Sequence, residues 1–521
     1  MINKKFSKSQ NILLLILLFF SIAINQYYGN RGIFPIEGTA FFDTAYRILL
    51  GDVPFKDYWL VSGFFIDYVQ SAFFWVLGIN FQAYLLHASL MNSLLTLMTF
   101  FFVKNLKLGI SYAFFYSISF SLLAYTTSGT LYVDNHASLL CLAATYCFIN
   151  GVIGKEKKNF FLIPLLVGLG FLTKSAPTVY VFILLLPILI FYIILTKKFS
   201  LILILFTSSI IFLISTYLFI FFNEIPLKLI LEQYFYFPMT IADNRFENFT
   251  ISIKNIFLSF KFIYVFLMPI IIFNIYRCFS IKKSYLSNDF FIFLSLLGLS
   301  LSLMFHQLNT KNQLFILFLI PILCAFLHSQ VIQIEIKFKK VFTKLLIIVC
   351  IFFTIKYHLR YNESRKFHEM ANINFELSVN ANKIDNKLNG LNWITPEYKE
   401  NPIKEIDLIL DTIKNLKENK KRKMIISNYS FLSSILGENS NSPSRWYISN
   451  GAAYPISNNK YYEVYRNYLI ETIKDKNLKE IFIIKPVAKE ELFRYVNSEC
   501  FSFKEINQIT TKYELVPSCK L

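Results

Sequence analysis

The chain has 521 residues, of which 55% are hydrophobic, 18% aromatic and 16% charged, with a mean hydropathy of +0.48. Soluble proteins carry about 25% charged residues, so this composition excludes a soluble multidomain enzyme, a disordered chain and a collagen-like repeat. It fits an integral membrane protein, whose lipid-facing surface is apolar. The net charge of +19 indicates membrane orientation rather than nucleic-acid binding, because the basic residues lie largely between apolar segments.

Eleven apolar segments predict membrane-spanning helices, since several approach the ~20 residues needed to cross a bilayer. They lie near 11–28, 82–103, 109–125, 136–153, 159–173, 177–195, 199–222, 256–276, 289–305, 314–331 and 341–356. The first follows lysines, as in a signal peptide, but no small-residue cleavage site comes after it, so we expect an uncleaved span. The segment 64–79 carries Asp67 and Gln70 and is predicted to be a helix on the membrane surface. If it crossed instead, every later connection would change side.

The positive-inside rule decides the orientation. With eleven spans and the N-terminus inside, one set of connections contains 17 basic residues and three acids. The basic and acidic connections then alternate along the whole membrane part. We therefore predict a polytopic α-helical membrane protein of about eleven spans, with the N-terminus in the cytoplasm and the C-terminus outside. The lysine-, isoleucine- and asparagine-rich composition favours a bacterial inner membrane with a periplasmic or extracellular C-terminal domain.

The last third of the chain is rich in charge and predicts an exterior α/β domain. Residues 1–356 are assigned to the membrane body, including a first exterior loop at 29–81, and residues 357–521 to this domain. Helical patterns at 403–419 and 461–474 alternate with apolar runs at 423–427 and 481–484, which predicts a short, partly parallel sheet. Cys500 and Cys519 lie in this domain and either form a disulfide or remain a pair of thiols. Arg445 and Trp446 lie in a polar loop that either stacks on a sugar or packs internally.

The first exterior loop concentrates carboxylates next to the membrane, where charge is costly and often functional. Glu37 lies between Pro35 and Gly38 in a constrained turn and is predicted to be catalytic. Asp43, on a short predicted helix, is either a second catalytic acid or a solvated one. Asp57 is a substrate-binding candidate. Asp52 follows Gly51 in a turn-like pair and is interpreted as an ordinary solvated acid.

The spacing P-x-E-G-x-x-x-x-D-x-A-x-x-x-x-x-G-x-x-P-x-x-D-Y-W, at 35–59, resembles the first exterior loop of GT-C type membrane glycosyltransferases. That superfamily includes the protein O-mannosyltransferases, the aminoarabinose transferases and RgtA-like enzymes. Glu37 stands where the Glu of their Asp-Glu pair lies, whereas Ile36 replaces the Asp, so Glu37 or Asp43 would supply the role of that Asp. Phe55 matches the aromatic residue after the proline, and Asp57 the later acid. The resemblance implies an inverting transfer from a lipid-linked sugar.

Phosphate ligands in such an enzyme would lie at exterior ends of spans. Lys174 lies at one such end, either as a phosphate ligand or as a lysine that extends to the interface. His306 and Lys311 are placed in the exterior loop before the tenth span, where the resembling families often carry a basic residue. A cation there would pair with the lipid phosphate.

Three further polar residues are candidates for substrate binding. Asp134 and His136 form a polar cluster at another exterior end; they bind the sugar or cap the span that begins at His136, and capping is the preferred interpretation for Asp134. Arg245 lies in the loop 223–255 and either contacts phosphate or is a solvated surface residue.

The sequence therefore predicts a membrane glycosyltransferase that moves a sugar from a polyprenyl-phosphate donor to a cell-surface glycan, lipid or protein acceptor. No certain cofactor is predicted, and the acids permit Mg²⁺ or Mn²⁺ without requiring either. The alternatives are a polysaccharide flippase or transporter, a polymerase or ligase, and an assembly protein that binds glycan. Transporters typically show internal repeats, and we find none. The sugar and the acceptor are not specified by these patterns.

Overall fold

The computed structural model describes residues 8–247, 250, 252–280, 284–311, 314–333 and 338–519. The chain forms two compact units, each assembled from three stretches of sequence. The first, which we call the helical unit, comprises Met1–Tyr28, Ala88–Leu218 and Asn248–Phe367. The second, the mixed unit, comprises Gly29–His87, Phe219–Glu247 and His368–Leu521.

Each of the eleven segments predicted to cross the membrane overlaps a helix. Their bounds are Lys8–Gly29, Phe81–Asn105, Ile110–Ala124, Val133–Gly154, Lys157–Phe171, Ser175–Thr196, Ser200–Phe222, Lys261–Ser280, Asn288–Thr310, Leu319–Gln333 and Lys339–His358. In the described part of the chain, eight helices are long and apolar enough to cross a bilayer. The helices that begin at Ile110, Lys157 and Leu319 have 15 residues each. The protein is thus a helical membrane protein, and the number of spans stays a prediction.

The helix Val133–Gly154 lies at the centre of the helical unit. It packs on the helices Lys157–Phe171 and Asn288–Thr310, and 83% of its most apolar window is buried. The ring of Phe160 lies so close to Gly151 that a Cβ atom there would come within 2.6 Å of it. Glycine therefore permits this close packing of helices, as in many membrane proteins.

The α-helices of the mixed unit are shorter, and four of them confirm predicted helices: those at 403–419 and 461–474, the segment 64–79, and the short helix that carries Asp43. They are Pro35–Gly38, Ala40–Leu49, Phe65–Leu77, Leu227–Ile230, Phe237–Glu247, Pro402–Glu418, Leu432–Leu436, Tyr462–Asp475 and Glu490–Phe493. Phe65–Leu77 corresponds to the predicted surface helix, and its 13 residues extend about 20 Å at 1.5 Å per residue. This is shorter than the hydrocarbon core of a bilayer, about 30 Å. Its location at the membrane surface remains a prediction.

Short π and 3₁₀ turns complete the helical structure. The π turns are Leu231–Tyr236, Lys254–Leu258 and Leu359–Glu363. The 3₁₀ turns are Ser284–Leu286, Lys366–His368, Phe375–Leu377, Ala381–Lys383, Asn386–Leu388 and Ser498–Cys500.

Two sheets lie in the mixed unit. Strands β1 (Val379–Asn380) and β2 (Asn392–Trp393) form an antiparallel pair. The second sheet has the order β3-β4-β6-β5, with strands Lys423–Ile426, Glu480–Ile484, Phe501–Glu505 and Thr510–Leu515 numbered β3 to β6 along the chain. β3 and β4 are parallel, whereas β6 is antiparallel to both neighbours. The predicted partly parallel sheet is therefore confirmed, with two more strands than predicted.

The first loop packs with the C-terminal residues of the mixed unit, although the sequence grouped it with the membrane body. Backbone hydrogen bonds join Gly32 N to Asn392 O at 2.9 Å and Trp59 N to Pro443 O at 2.8 Å. The physical reason is Trp59, whose side chain is buried in an apolar core with Phe237 and residues of β3, β4 and the helix Tyr462–Asp475. This core combines all three stretches of the mixed unit. A disulfide links Cys500 to Cys519.

Candidate functional site

Asp43 lies on the helix Ala40–Leu49 and is buried. The hydroxyls of Ser433 and Ser440 donate to its two carboxylate oxygens, and Arg47, one turn later, lies 3.8 Å from it. Burial raises the pKa of Asp43 above its ordinary value, and the positive charge of Arg47 opposes that shift. Asp43, the predicted second catalytic acid, is therefore held inside the mixed unit by two hydroxyls and a guanidinium group.

Arg47 is completely buried and was missed by sequence analysis. Its guanidinium donates to Asp52 and to the carbonyl of Ser442, both at 2.7 Å, and to the carbonyl of Asp57 at 3.1 Å. Asp43 and Arg47 are spaced i and i+4 on one helix, and that spacing was the available signal for the pair. Arg47 connects the first loop to the C-terminal residues.

Asp52 is not the solvated acid that its turn suggested. It pairs with Arg47 and accepts a hydrogen bond of 2.8 Å from Asn439. Burial alone would raise the pKa of Asp52, but Arg47 and Lys476 outweigh burial and lower it. Gly51 does form the expected turn, with a φ of 98°.

Asp57, a predicted substrate-binding residue, has two partners within the mixed unit. Its carboxylate accepts from Val53 N at 2.8 Å, and Lys476 Nζ lies 3.8 Å away.

Asp67 and Arg445 form a second buried ion pair. Asp67 accepts hydrogen bonds from Arg445 and from the hydroxyl of Thr44, and Arg445 also donates to Ser62 Oγ at 2.8 Å. Both side chains are at most 1% exposed. Burial raises the pKa of Asp67, against the opposing charge of Arg445. The Arg445–Trp446 loop is thus packed internally, with the guanidinium 4.5 Å from the centre of the Phe41 ring.

Glu37 occupies a rigid turn, as predicted. Pro35 opens the four-residue helix Pro35–Gly38, and the hydroxyl of Thr39 donates to the carbonyl of Pro35 at 3.1 Å. Glu37 is half-buried, so its carboxylate is more accessible than those of Asp43 and Asp67.

The raised pKa of Asp43 gives a pH prediction. The folded state binds its proton more tightly than the unfolded chain does, so this group lowers the free energy of unfolding as pH rises from its unfolded pKa, about 4, through its folded pKa. Asparagine has no such titration. The free energy of unfolding of Asp43→Asn, relative to wild type, should therefore increase across that pH range. Urea unfolding in detergent at several pH values measures this difference, and a constant difference would contradict the prediction.

A second cluster joins three predicted candidates inside the helical unit. The ring Nε2 of His306 lies 2.7 Å from Asp134 Oδ1, and Lys174 Nζ lies 3.7 Å from Asp134 Oδ2. The Asp134 and His306 side chains are 8% and 1% exposed, whereas that of Lys174 is 26% exposed. We call these three residues the Asp134 cluster. It combines a shared carboxylate, an imidazole and an ammonium group with an accessible side.

The three residues of the Asp134 cluster lie at or near the ends of helices. Asp134 lies in the first turn of Val133–Gly154, His306 near the end of Asn288–Thr310, and Lys174 directly before Ser175–Thr196. The helix dipole favours the Asp134 carboxylate at its N-terminus but disfavours the Lys174 ammonium, because Lys174 is the N-cap residue of its own helix. The predicted capping role of Asp134 is wrong, because Tyr132 is the cap residue and no side chain caps this helix. The predicted loop position of His306 is also wrong, because the helix continues to Thr310.

Buried polar atoms surround the same helix end. Gln307 Nε2 and Asn309 Oδ1 have no hydrogen-bond partner among the residues that the structure describes. The amide of Asn309 donates to the hydroxyl of Tyr180 at 3.4 Å, and the Tyr180 ring packs against His306. An unpaired buried polar atom costs about 1–3 kcal/mol. A polar ligand or ordered water at this helix end would satisfy both atoms.

The remaining predicted ligands lie outside the Asp134 cluster. His136 is buried with its ring 3.2 Å from the hydroxyl of Tyr125. Lys311 is exposed at the left-handed residue that ends Asn288–Thr310; residues 312 and 313 of its loop lie outside the described part. Arg245 is half-buried on the helix Phe237–Glu247 of the mixed unit.

The described residues contain no group of three or more His, Cys, Asp or Glu side chains that could hold a metal ion. A scan against protein-family models and a search of curated proteins both found no match to this chain.

Proposed function

We propose that the protein is a membrane glycosyltransferase that moves a sugar from a polyprenyl-phosphate donor to a glycan, lipid or protein acceptor. The observation that carries this proposal is the Asp134 cluster, in which a buried imidazole and a partly accessible ammonium share one carboxylate at 2.7 and 3.7 Å. The resemblance of the first loop to GT-C enzymes supports the same function.

The energetic cost of the cluster supports a ligand-binding role. Ionisable groups among membrane helices are expensive and are usually retained for function. A buried pair contributes little net stability compared with apolar packing of the same volume. A phosphate group offers several acceptor oxygens to the Lys174 ammonium. The partial exposure of Lys174 gives such a group access.

The expected chemistry needs a base and a stabilised leaving group. The acceptor hydroxyl oxygen attacks the anomeric carbon, the bond from that carbon to the phosphate oxygen breaks, and the lipid phosphate leaves with the electron pair. The hydroxyl proton passes to a carboxylate. Lys174 would neutralise charge that develops on the phosphate. Of the two first-loop acids predicted to be catalytic, we propose Glu37 as this base on the resemblance of the loop to GT-C enzymes, because Asp43 is buried and bonded to Ser433 and Ser440.

The predicted orientation explains the choice of donor. Sugar nucleotides are made in the cytoplasm, whereas the positive-inside rule places the first loop on the opposite face. A donor with a prenyl tail stays in the bilayer while its phosphate sugar reaches that face. The phosphate would then be held where the apolar body ends.

The test is transfer of radiolabelled sugar from a polyprenyl-phosphate donor by the purified protein in detergent. We expect Glu37→Gln to lower the rate by about 100-fold to 10,000-fold, the usual contribution of a general base. Glu471→Gln changes an exposed acid of the mixed unit and should leave the rate within threefold. Wild-type transfer by Glu37→Gln would refute the assignment of the base. Transfer from a sugar nucleotide without lipid carrier would refute the donor.

A further inference from the structure

A cleft of about 640 Å³ lies in the mixed unit, away from the first loop. Ile483 and Thr511, paired on β4 and β6, contribute to its floor. Several residues of its walls follow β3 or β4 in the sequence. These two strands run parallel and therefore end at the same edge of the sheet. Ligands of sheets with parallel strands typically bind outside the carboxyl ends of those strands.

Aromatic residues with fixed positions line this cleft. Tyr429 is buried, and its hydroxyl donates at 2.8 Å to Glu405, which also accepts from Trp393 and Thr395 at 2.9 Å each. The ring of Tyr513 contacts that of Phe493 with centres 4.9 Å apart. Tyr398 also lines the cleft and is half-buried, so part of its side chain is accessible there.

Charged residues of both signs complete the lining. Lys485 and Lys489 are exposed at one wall, and neither forms an ion pair with a residue that the structure describes. Glu397 and Glu490 are also exposed there. Ammonium groups pair with carboxylates, and glutamates accept hydrogen bonds from hydroxyls. The matching ligand carries hydroxyl-rich rings and spaced negative charges.

We propose that this cleft binds an acidic oligosaccharide, with sugar rings against Tyr398 and Tyr513 and sugar carboxylates at Lys485 and Lys489. A peptide added as an extra strand is a poorer match, since that mode uses a sheet edge, which here is β3 or β5. That this glycan is the acceptor of the transfer reaction rests on the proposed function. Binding itself does not.

The test is calorimetric titration of the full chain in detergent with tetragalacturonate as the probe. Maltotetraose tests the need for charge, and tetraglutamate tests the need for sugar rings. We expect tetragalacturonate to bind at least tenfold more tightly than either. The double substitution Lys485→Ala/Lys489→Ala should weaken its binding at least tenfold, because it removes both ammonium groups that would pair with the sugar carboxylates. Tyr398→Ala should weaken it as well.

The matched control is Lys479→Ala/Lys504→Ala, which removes two exposed lysines of the same unit that lie outside the cleft. This control should bind tetragalacturonate like wild type. Binding by the wild type should weaken at high salt, because salt screens the attraction between the lysines and the carboxylates. Equal binding by both double variants, no binding of tetragalacturonate, or preference for tetraglutamate would each overturn the proposal. Binding without sugar transfer would refute the proposed function and leave the glycan site standing.

Discussion

Replacing Asp134 by asparagine should lower the rate of sugar transfer by about 100-fold to 1,000-fold, the range for loss of one electrostatic group in an active site. Asp134 is the shared partner of His306 and Lys174, at 2.7 and 3.7 Å. Asparagine keeps the size of the side chain but removes the charge that orients both groups. Asp134 therefore acts as a positioning residue, and its loss should reduce kcat.

Lys174→Gln provides the complementary result. If the ammonium holds the donor phosphate in the ground state as well as in the transition state, this substitution should raise KM for the lipid donor more than it lowers kcat. Steady-state kinetics with the lipid donor measure both values. A merely structural cluster would lower the amount of folded protein and leave KM unchanged.

The control for Asp134→Asn is Asp289→Asn. Asp289 also lies in the first turn of a helix of the same unit and pairs with Arg277 at 2.8 Å. Its substitution should leave transfer within threefold of wild type. Equal losses in both variants would show that ion pairs of the helical unit matter only for folding.

The second large effect concerns stability. Arg445→Ala should lower the free energy of unfolding of the mixed unit by about 3–5 kcal/mol, because it leaves the carboxylate of Asp67 buried without its cation. Asp67→Ala should cost a similar amount. The double variant Asp67→Ala/Arg445→Ala should cost less than the sum of the two, since it leaves neither charge alone.

Tryptophan fluorescence during urea unfolding measures this loss selectively. All four tryptophans, Trp59, Trp75, Trp393 and Trp446, belong to the mixed unit. The control pair is Arg466 and Glu463, which lie 3.2 Å apart with side chains 42% and 65% exposed. Removing that pair should cost at most about 1 kcal/mol. Additive losses at Asp67 and Arg445 would contradict coupling of the buried pair.

Local patterns predicted the elements of this fold well. Apolar runs located the eleven helices of the predicted spans because hydrophobic burial acts within a single segment. The apolar strands β3 and β4 were found for the same reason. β5 and β6 were missed, since their sequences FSFKE and TTKYEL mix polar and apolar residues. Their stability depends on pairing with each other and, for β6, with β4.

Local sequence patterns do not predict contacts between residues that are far apart along the chain. Asp134 and His306 are 172 positions apart, and Asp67 and Arg445 are 378 apart. The residue types at Asp134, Lys174 and His306 marked each as a candidate, but only tertiary packing joins them. Asp43 illustrates the converse, because its acidic neighbourhood suggested catalysis while Ser433 and Ser440 enclose it.

The dispersed origin of the core around Trp59 has a consequence for biosynthesis. Trp59 is translated early, yet its partners extend to Tyr513. At about 5–20 residues per second, the ribosome needs roughly 20 to 90 s to supply them. During that interval the core around Trp59 is incomplete, and the side chain of Trp59 is not yet buried by it. A cell that makes this protein must protect the nascent loop from proteases and aggregation until the carboxyl-terminal strands emerge.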